Sequence, residues 1–232
     1  TTGAMPANDM TLYAQFTADN QTITFNVGGG DESTKAADII QPTDSLVDLD
    51  SVSAPTRAGY NFIGWYDGVT QYSGTITMPA GGMTLVAHWT AEDQVITFKT
   101  NGGTGVDSIV AATDSTIDLA TAVTTRAGYQ FEGWYDGTTA YSGTITMPAG
   151  GLELTATWTA MDQTITFDVN GGDINTQPAD IVQPTDTTID LDTITAPTRY
   201  AHDFIEWQDE NGQVYTGTIV VPAEGLTLYA QW

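Results

Sequence analysis

Three stretches of this chain repeat the same residue pattern. Gln21-Thr-Ile-Thr-Phe25, Gln94-Val-Ile-Thr-Phe98 and Gln163-Thr-Ile-Thr-Phe167 align, and from each the chain runs on in step. A Gly-Gly turn follows (Gly29-Gly30, Gly102-Gly103, Gly171-Gly172), then an Asp-Leu pair (Asp48-Leu49, Asp118-Leu119, Asp190-Leu191) and a Thr-Arg pair (Thr56-Arg57, Thr125-Arg126, Thr198-Arg199). Each copy continues through an aromatic stretch around Trp65, Trp134 or Trp207, a Gly-Thr-Ile segment and a Pro-Ala turn, and closes on Trp89, Trp158 or Trp232. The central tryptophans are 69 and 73 residues apart. A period of this length confines the fold to a string of small modules, each burying its own core. The boundaries read as 21–93, 94–162 and 163–232. Residues 1–20 read as the final turn and strand of a preceding copy plus a linker, because Met5 to Phe16 matches Met78 to Trp89 position for position. On this reading the chain is a section of a longer array.

Within a copy the apolar pattern has period two, the signature of half-buried strands. Ile23, Phe25 and Val27 alternate with Thr24 and Asn26, and Met83, Leu85, Ala87 and Trp89 alternate with Thr84, Val86 and His88. Tyr60 to Tyr66 is aromatic and β-prone, and Asp67-Gly68 marks a turn before Gly74-Thr-Ile-Thr-Met78. No segment holds helical periodicity over three turns; a short helix between Asp44 and Val52 is the one helical candidate. The expected fold is mainly β. The linkers Thr90–Asp93 and Thr159–Asp162 are short and free of Gly or Ser runs, which predicts an elongated, semi-rigid array.

Composition narrows function. Five basic side chains against 29 carboxylates leave a formal charge of −24. Nucleic-acid binding requires cations to neutralise phosphates, and an anionic membrane would repel this chain, so neither is an expected partner. There is no cysteine, hence no disulfide framework, thiolate metal site or thiol nucleophile. With 41% hydrophobic residues the acidity belongs to a folded surface and not to a disordered tail.

A site that serves a repeated function should recur in every copy. His88 and His202 stand at different places in their copies, and no nucleophile, base and orienting partner stand together, so no catalytic residue and no cofactor is assigned. The glycine pairs lack the Gly-Lys-Ser/Thr sequel of a phosphate loop and read as turns. Asp44, Asp48 and Asp50, matched by Asp114 and Asp118 and by Asp186, Asp190 and Asp192, are weak candidates for calcium. They supply hard oxygen ligands, but the Asp-x-Asp-x-Asp-Gly loop is absent and Ala120 interrupts the set. Arg57, Arg126 and Arg199 recur once per copy and are expected to fix the loop before the aromatic strand. The six tryptophans are expected in the core, the closing set Trp89, Trp158 and Trp232 more firmly than the middle set Trp65, Trp134 and Trp207.

Several of these words together carry a resemblance. Thr-Ile-Thr-Phe followed by Gly-Gly, the run from Pro55 to Tyr66, and Met-Pro-Ala leading into Thr-Leu-Tyr-Ala-Gln-Phe (Met5 to Phe16) resemble the internalin B-repeat, also called the Listeria-Bacteroides repeat. The match spans nearly the whole chain. The resemblance implies a β-grasp-like, ubiquitin-like module in each copy, placed in a Gram-positive surface protein outside the cell, between a binding domain and a cell-wall anchor. It implies a non-catalytic stalk; the alternative is an adhesion module whose repeats bind a host protein or glycan, with the chain a monomer in either case. The third copy departs most from the pattern, with Tyr200-Ala-His-Asp-Phe-Ile-Glu-Trp207 where the others carry Ala-Gly-Tyr and Gly-Trp-Tyr, so its loop is expected to differ.

Overall fold

The computed structural model describes residue 11 and residues 13–232. Of the segment read as the tail of a preceding copy, Met5 to Met10 and Leu12 therefore lie outside the described residues. The chain divides into two compact units, one ending at Asp93 and the other running from Gln94 to Trp232. The first holds one repeat and the second holds two.

In the first repeat the strands are β1 (Asn20–Asn26), β2 (Ile39–Pro42), β3 (Leu46–Asp48), β4 (Tyr60–Asp67), β5 (Thr70–Tyr72), β6 (Thr75–Thr77) and β7 (Met83–Ala91). Five of them form a sheet in the order β2-β1-β7-β4-β5. Its centre is parallel, with Ile23 beside Met83 and Phe25 beside Leu85, and both flanks are antiparallel. The remaining two, β3 and β6, pair as a separate ribbon. A parallel central pair between two outer hairpins is the β-grasp-like arrangement. Where the sequence allowed a short helix between Asp44 and Val52, the chain instead makes β3 and a single turn. The reason is local: Val47 pairs with Ile76 across the ribbon, and the Asp48 carboxylate accepts the amide of Asp50 at 3.1 Å, closing the turn after one residue.

The alternation seen in sequence decides which face is buried. Ile23, Phe25 and Val27 of the first strand segment and Leu85 and Ala87 of β7 are sequestered, while Thr24 and Thr84 meet on the other face, their hydroxyls 2.8 Å apart. The ribbon covers the inner face, placing Val47, Leu49 and Met78 over Phe25, Leu85 and Trp65.

The second repeat follows the same plan with β8 (Asp93–Lys99), β9 (Ile109–Ala112), β10 (Thr116–Asp118), β11 (Tyr129–Tyr135), β12 (Ala140–Tyr141), β13 (Thr144–Thr146) and β14 (Leu152–Ala160). The third has β15 (Asp162–Asp168), β16 (Ile181–Pro184), β17 (Thr188–Asp190), β18 (Glu206–Gln208), β19 (Val214–Tyr215), β20 (Thr218–Val220) and β21 (Leu226–Gln231). Sheet orders β12-β11-β14-β8-β9 and β16-β15-β21-β18-β19 repeat the first, each with its own ribbon and its own core. A one-turn 3-10 helix follows the ribbon strand in these two copies, capped by Asp118 and Asp190. The expected linker Thr159–Asp162 is largely strand: β14 runs to Ala160 and β15 begins at Asp162, leaving Met161 alone between them.

Candidate functional site

The tryptophans organise each core, and not in the expected order of burial. The middle set, Trp65, Trp134 and Trp207, is 2–4% exposed, whereas Trp89, Trp158 and Trp232 are only partly buried. Each middle ring packs between two phenylalanines, Phe25 and Phe62 in the first copy at 4.7 and 5.3 Å, with the same pairs in the others. The closing ring lies edge-on to the second phenylalanine and sends its indole N–H to the glycine turn: Trp89 to the Val27 carbonyl at 2.9 Å, Trp158 to Thr100 at 2.9 Å, Trp232 to Val169 at 3.1 Å. This explains the second glycine of each pair. A Cβ on Gly30, Gly103 or Gly172 would stand 2.5–2.7 Å from the Cζ2 of its tryptophan. Only the first glycine of each pair, at φ between 83° and 90°, is there for its backbone conformation. The close approach is invisible in sequence because it joins residues some 60 positions apart.

The repeated aspartates are placed as turn acceptors. Asp50 takes the Gly74 amide at 2.8 Å and Asp192 takes that of Gly217 at 3.2 Å, joining the turn after the ribbon strand to the turn that precedes its partner. Asp48, Asp118 and Asp190 each accept an amide two residues on. Asp44, Asp114 and Asp186 occupy the left-handed region at φ 65–66°. Among the described residues no three carboxylates or histidines converge as a metal cage. His88 is exposed and stacked on Tyr66, the rings 4.1 Å apart; His202 holds the Tyr200 carbonyl at 2.9 Å. A cleft of about 330 Å³ flanks Trp134, lined by Leu119, Ala122, Phe131, Tyr141 and Glu132, with a smaller counterpart beside Trp65. The Trp134 indole is already bonded to the Ala122 carbonyl at 3.1 Å, so the cleft is an edge of the core with a single carboxylate on its wall.

The arginines lead to a built arrangement between residues of the second and third repeats. The Cζ atoms of Arg57 and Arg126 lie over the rings of Tyr60 and Tyr129, 3.7 and 3.6 Å from the centroids. In the second copy the guanidinium also reaches the Asn101 carbonyl at 3.4 Å and the carboxylate of Asp186, in the third copy, at 3.6 Å. The Tyr129 hydroxyl donates to the same carboxylate oxygen of Asp186, which holds the phenol above the usual tyrosine range. Beside this pair Gly128, at φ 73°, leaves no room for a side chain: a Cβ would stand 2.5 Å from Thr185 Oγ1 and 2.8 Å from Ala223. Met161 is held from both sides. Its amide donates to the Gly128 carbonyl at 2.8 Å, and its carbonyl accepts the Thr185 amide at 2.9 Å and hydroxyl at 3.1 Å. Thr185 is buried. Repetition flags Arg126, but the role of Tyr129, Gly128 and Asp186 as its partners across a repeat boundary is not readable from spacing.

In the third copy the corner is rebuilt. Ala201 takes the glycine's place at φ 57°, His202 replaces the tyrosine, and the Arg199 guanidinium is 6.0 Å from the Trp232 ring.

Over 231 residues, covering 96% of this chain, a protein named as a membrane protein in Evansella cellulosilytica is 27% identical; a protein named as a Gly-rich membrane protein in the same organism is 27% identical over 98% of the chain. Internalin H of Listeria monocytogenes is 44% identical over 96 residues, or 40% of the chain. The chain spans 33%, 27% and 16% of the length of these three proteins, so each is much longer than the region shared. The Listeria-Bacteroides repeat domain matches three times in succession, at residues 22–88, 95–157 and 164–231, and this chain therefore belongs to the Listeria-Bacteroides repeat family.

Proposed function

We propose that this chain is a non-catalytic stalk segment of a bacterial cell-surface protein, holding a more distal binding domain away from the cell. The observation that carries the reading is the junction between the second and third copies. A spacer needs successive modules that do not swing freely, and here one residue, Met161, separates two strands and is hydrogen-bonded on both sides. The side chains of Arg126 and Tyr129 brace it against Asp186. Charge supports the same reading: formal charges of −7, −5 and −10 on the three copies make neighbouring modules repel and keep a crowded surface array soluble. Relatives named as membrane proteins and an internalin support a place at the cell surface. Small-angle scattering tests the proposal. A rod of fixed length, unchanged between low and high salt, is the expected result; a compact or broadly flexible particle would overturn it.

A second reading is favoured by one observation. Ile40, Val110 and Val182 occupy the same position on the edge strand of each sheet and are 56–63% exposed. An edge strand with an apolar side chain can accept an extended peptide, and repetition would multiply weak contacts. On this reading the repeats bind a host protein. Saturable binding to host-cell extracts that Ile40→Lys, Val110→Lys and Val182→Lys together abolish would support it; binding unchanged in the triple variant would exclude it.

A further inference from the structure

The first repeat carries the same receiving face that the third repeat presents to Arg126 and Tyr129. Thr43 donates its amide and hydroxyl to the Asp19 carbonyl at 2.9 and 3.2 Å, as Thr185 does to Met161. Asp44 stands at φ 65° with its amide on the Met78 carbonyl at 3.0 Å; Asp186 stands at φ 66° with its amide on Val221 at 3.0 Å. Ala80 occupies the position of Ala223, each following the proline of its turn. The backbone that presents the carboxylate is thus already set. Asp44 is exposed, and Thr43 is more open than the buried Thr185.

We infer that Thr43, Asp44 and Ala80 form a docking face for the Arg-x-Gly-Tyr corner of another repeat. Three requirements define the partner. A guanidinium and a phenol hydroxyl must converge on one carboxylate, and between them the corner must carry glycine, because the turn approaches too closely for a Cβ. The residues leading into β1 indicate where such a copy would come from, since Met5 to Phe16 has the sequence of a repeat's last turn and strand. The same requirements exclude the third repeat as a partner. Ala201 bears the methyl for which the second copy has no room at Gly128, and His202 offers an imidazole in place of a phenol. Seating of this kind holds whether the array serves as stalk or adhesin.

The test grafts a copy of residues 94–162 in place of residues 1–20, so that the grafted Arg-Ala-Gly-Tyr corner precedes Asp44 as the native one precedes Asp186. Nuclear Overhauser contacts between the grafted tyrosine ring and the Thr43–Asp44 turn are expected, matching those of Tyr129 with the Thr185–Asp186 turn in the same sample. The Thr43 amide is expected to exchange about tenfold more slowly than in the ungrafted chain. Both signals should vanish when the grafted corner is rewritten as Arg-Tyr-Ala-His, and when Asp44→Ala is added. Core methyl signals of the grafted copy report its folding independently. Contacts missing in the glycine graft although its core is folded, or persisting unchanged with the Arg-Tyr-Ala-His corner, would overturn the inference.

Discussion

The second and third repeats have separate but like cores and differ at one corner. Phe98 lies 4.7 Å from Trp134 and Phe167 lies 5.0 Å from Trp207; Leu154 and Leu228 are equally inaccessible. Outside that core the copies diverge. β11 runs seven residues and bulges between Phe131 and Gly133, whereas β18 runs three and follows an irregular Ala201–Ile205 segment. Arg126 stacks on Tyr129 and pairs with Asp186, while the corresponding histidine turns back on its own loop. The difference teaches that core and corner answer to separate constraints. The middle tryptophan is positioned by the phenylalanine of the first strand and by the last strand of its sheet, so the corner can be rewritten without disturbing it.

Four measurements test that separation. The largest effect belongs to the cores: Leu154→Ala and Leu228→Ala should each cost about 2–5 kcal/mol in urea unfolding, and by similar amounts, because both sites are fully packed. Unequal costs would mean that the corner reaches the core. Next come the corner backbones. Gly128→Val places a β-branched residue at positive φ against Thr185 and Ala223, and should destabilise by about 2 kcal/mol or more and uncouple the second and third copies in thermal scans. The opposite change, Ala201→Gly, should stabilise the third copy by up to about 1 kcal/mol by relieving an alanine held at φ 57°. If Gly128→Val melts as the parent does, the junction is not as tight as its geometry states.

A smaller effect is expected at the closing tryptophans. Trp158→Phe and Trp232→Phe each remove an indole donor from a carbonyl of the glycine turn and should cost about 1 kcal/mol apiece in denaturant titrations. A clear inequality would show that the two glycine turns are not equivalent after all. The smallest effect is one of pH. Because the hydrogen bond to Asp186 raises the Tyr129 phenol, its contribution is complete below the ordinary tyrosine range and is lost as pH rises through the raised value. Tyr129→Phe should therefore shallow the alkaline decline of stability while changing little at acid pH. A decline of the same steepness in that variant would remove the phenol from the junction.

Much of the fold is legible in the residue pattern. Period-two alternation identifies the buried faces of β1 and β7, and the recurrence of Trp, Asp-Leu and Thr-Arg sets the copies in register. The site is legible only in part. Arg126 stands out because one cation recurs per copy, yet its partner Asp186 reads among turn carboxylates as a weak calcium candidate. The short helix expected near Asp44 to Val52 does not form because ribbon pairing at Val47 outweighs local helical preference.

The residue pattern is enough to establish a series of like modules, mainly β and acidic, because alternation, composition and repetition are one-dimensional properties. Tertiary structure alone decided three matters: which tryptophan of each pair sits deepest, why a second glycine must face the closing ring, and how Gly128, Tyr129 and Arg126 grip the next repeat. Each depends on approach distances between residues far apart in the chain, and those distances exist only once the sheets have formed.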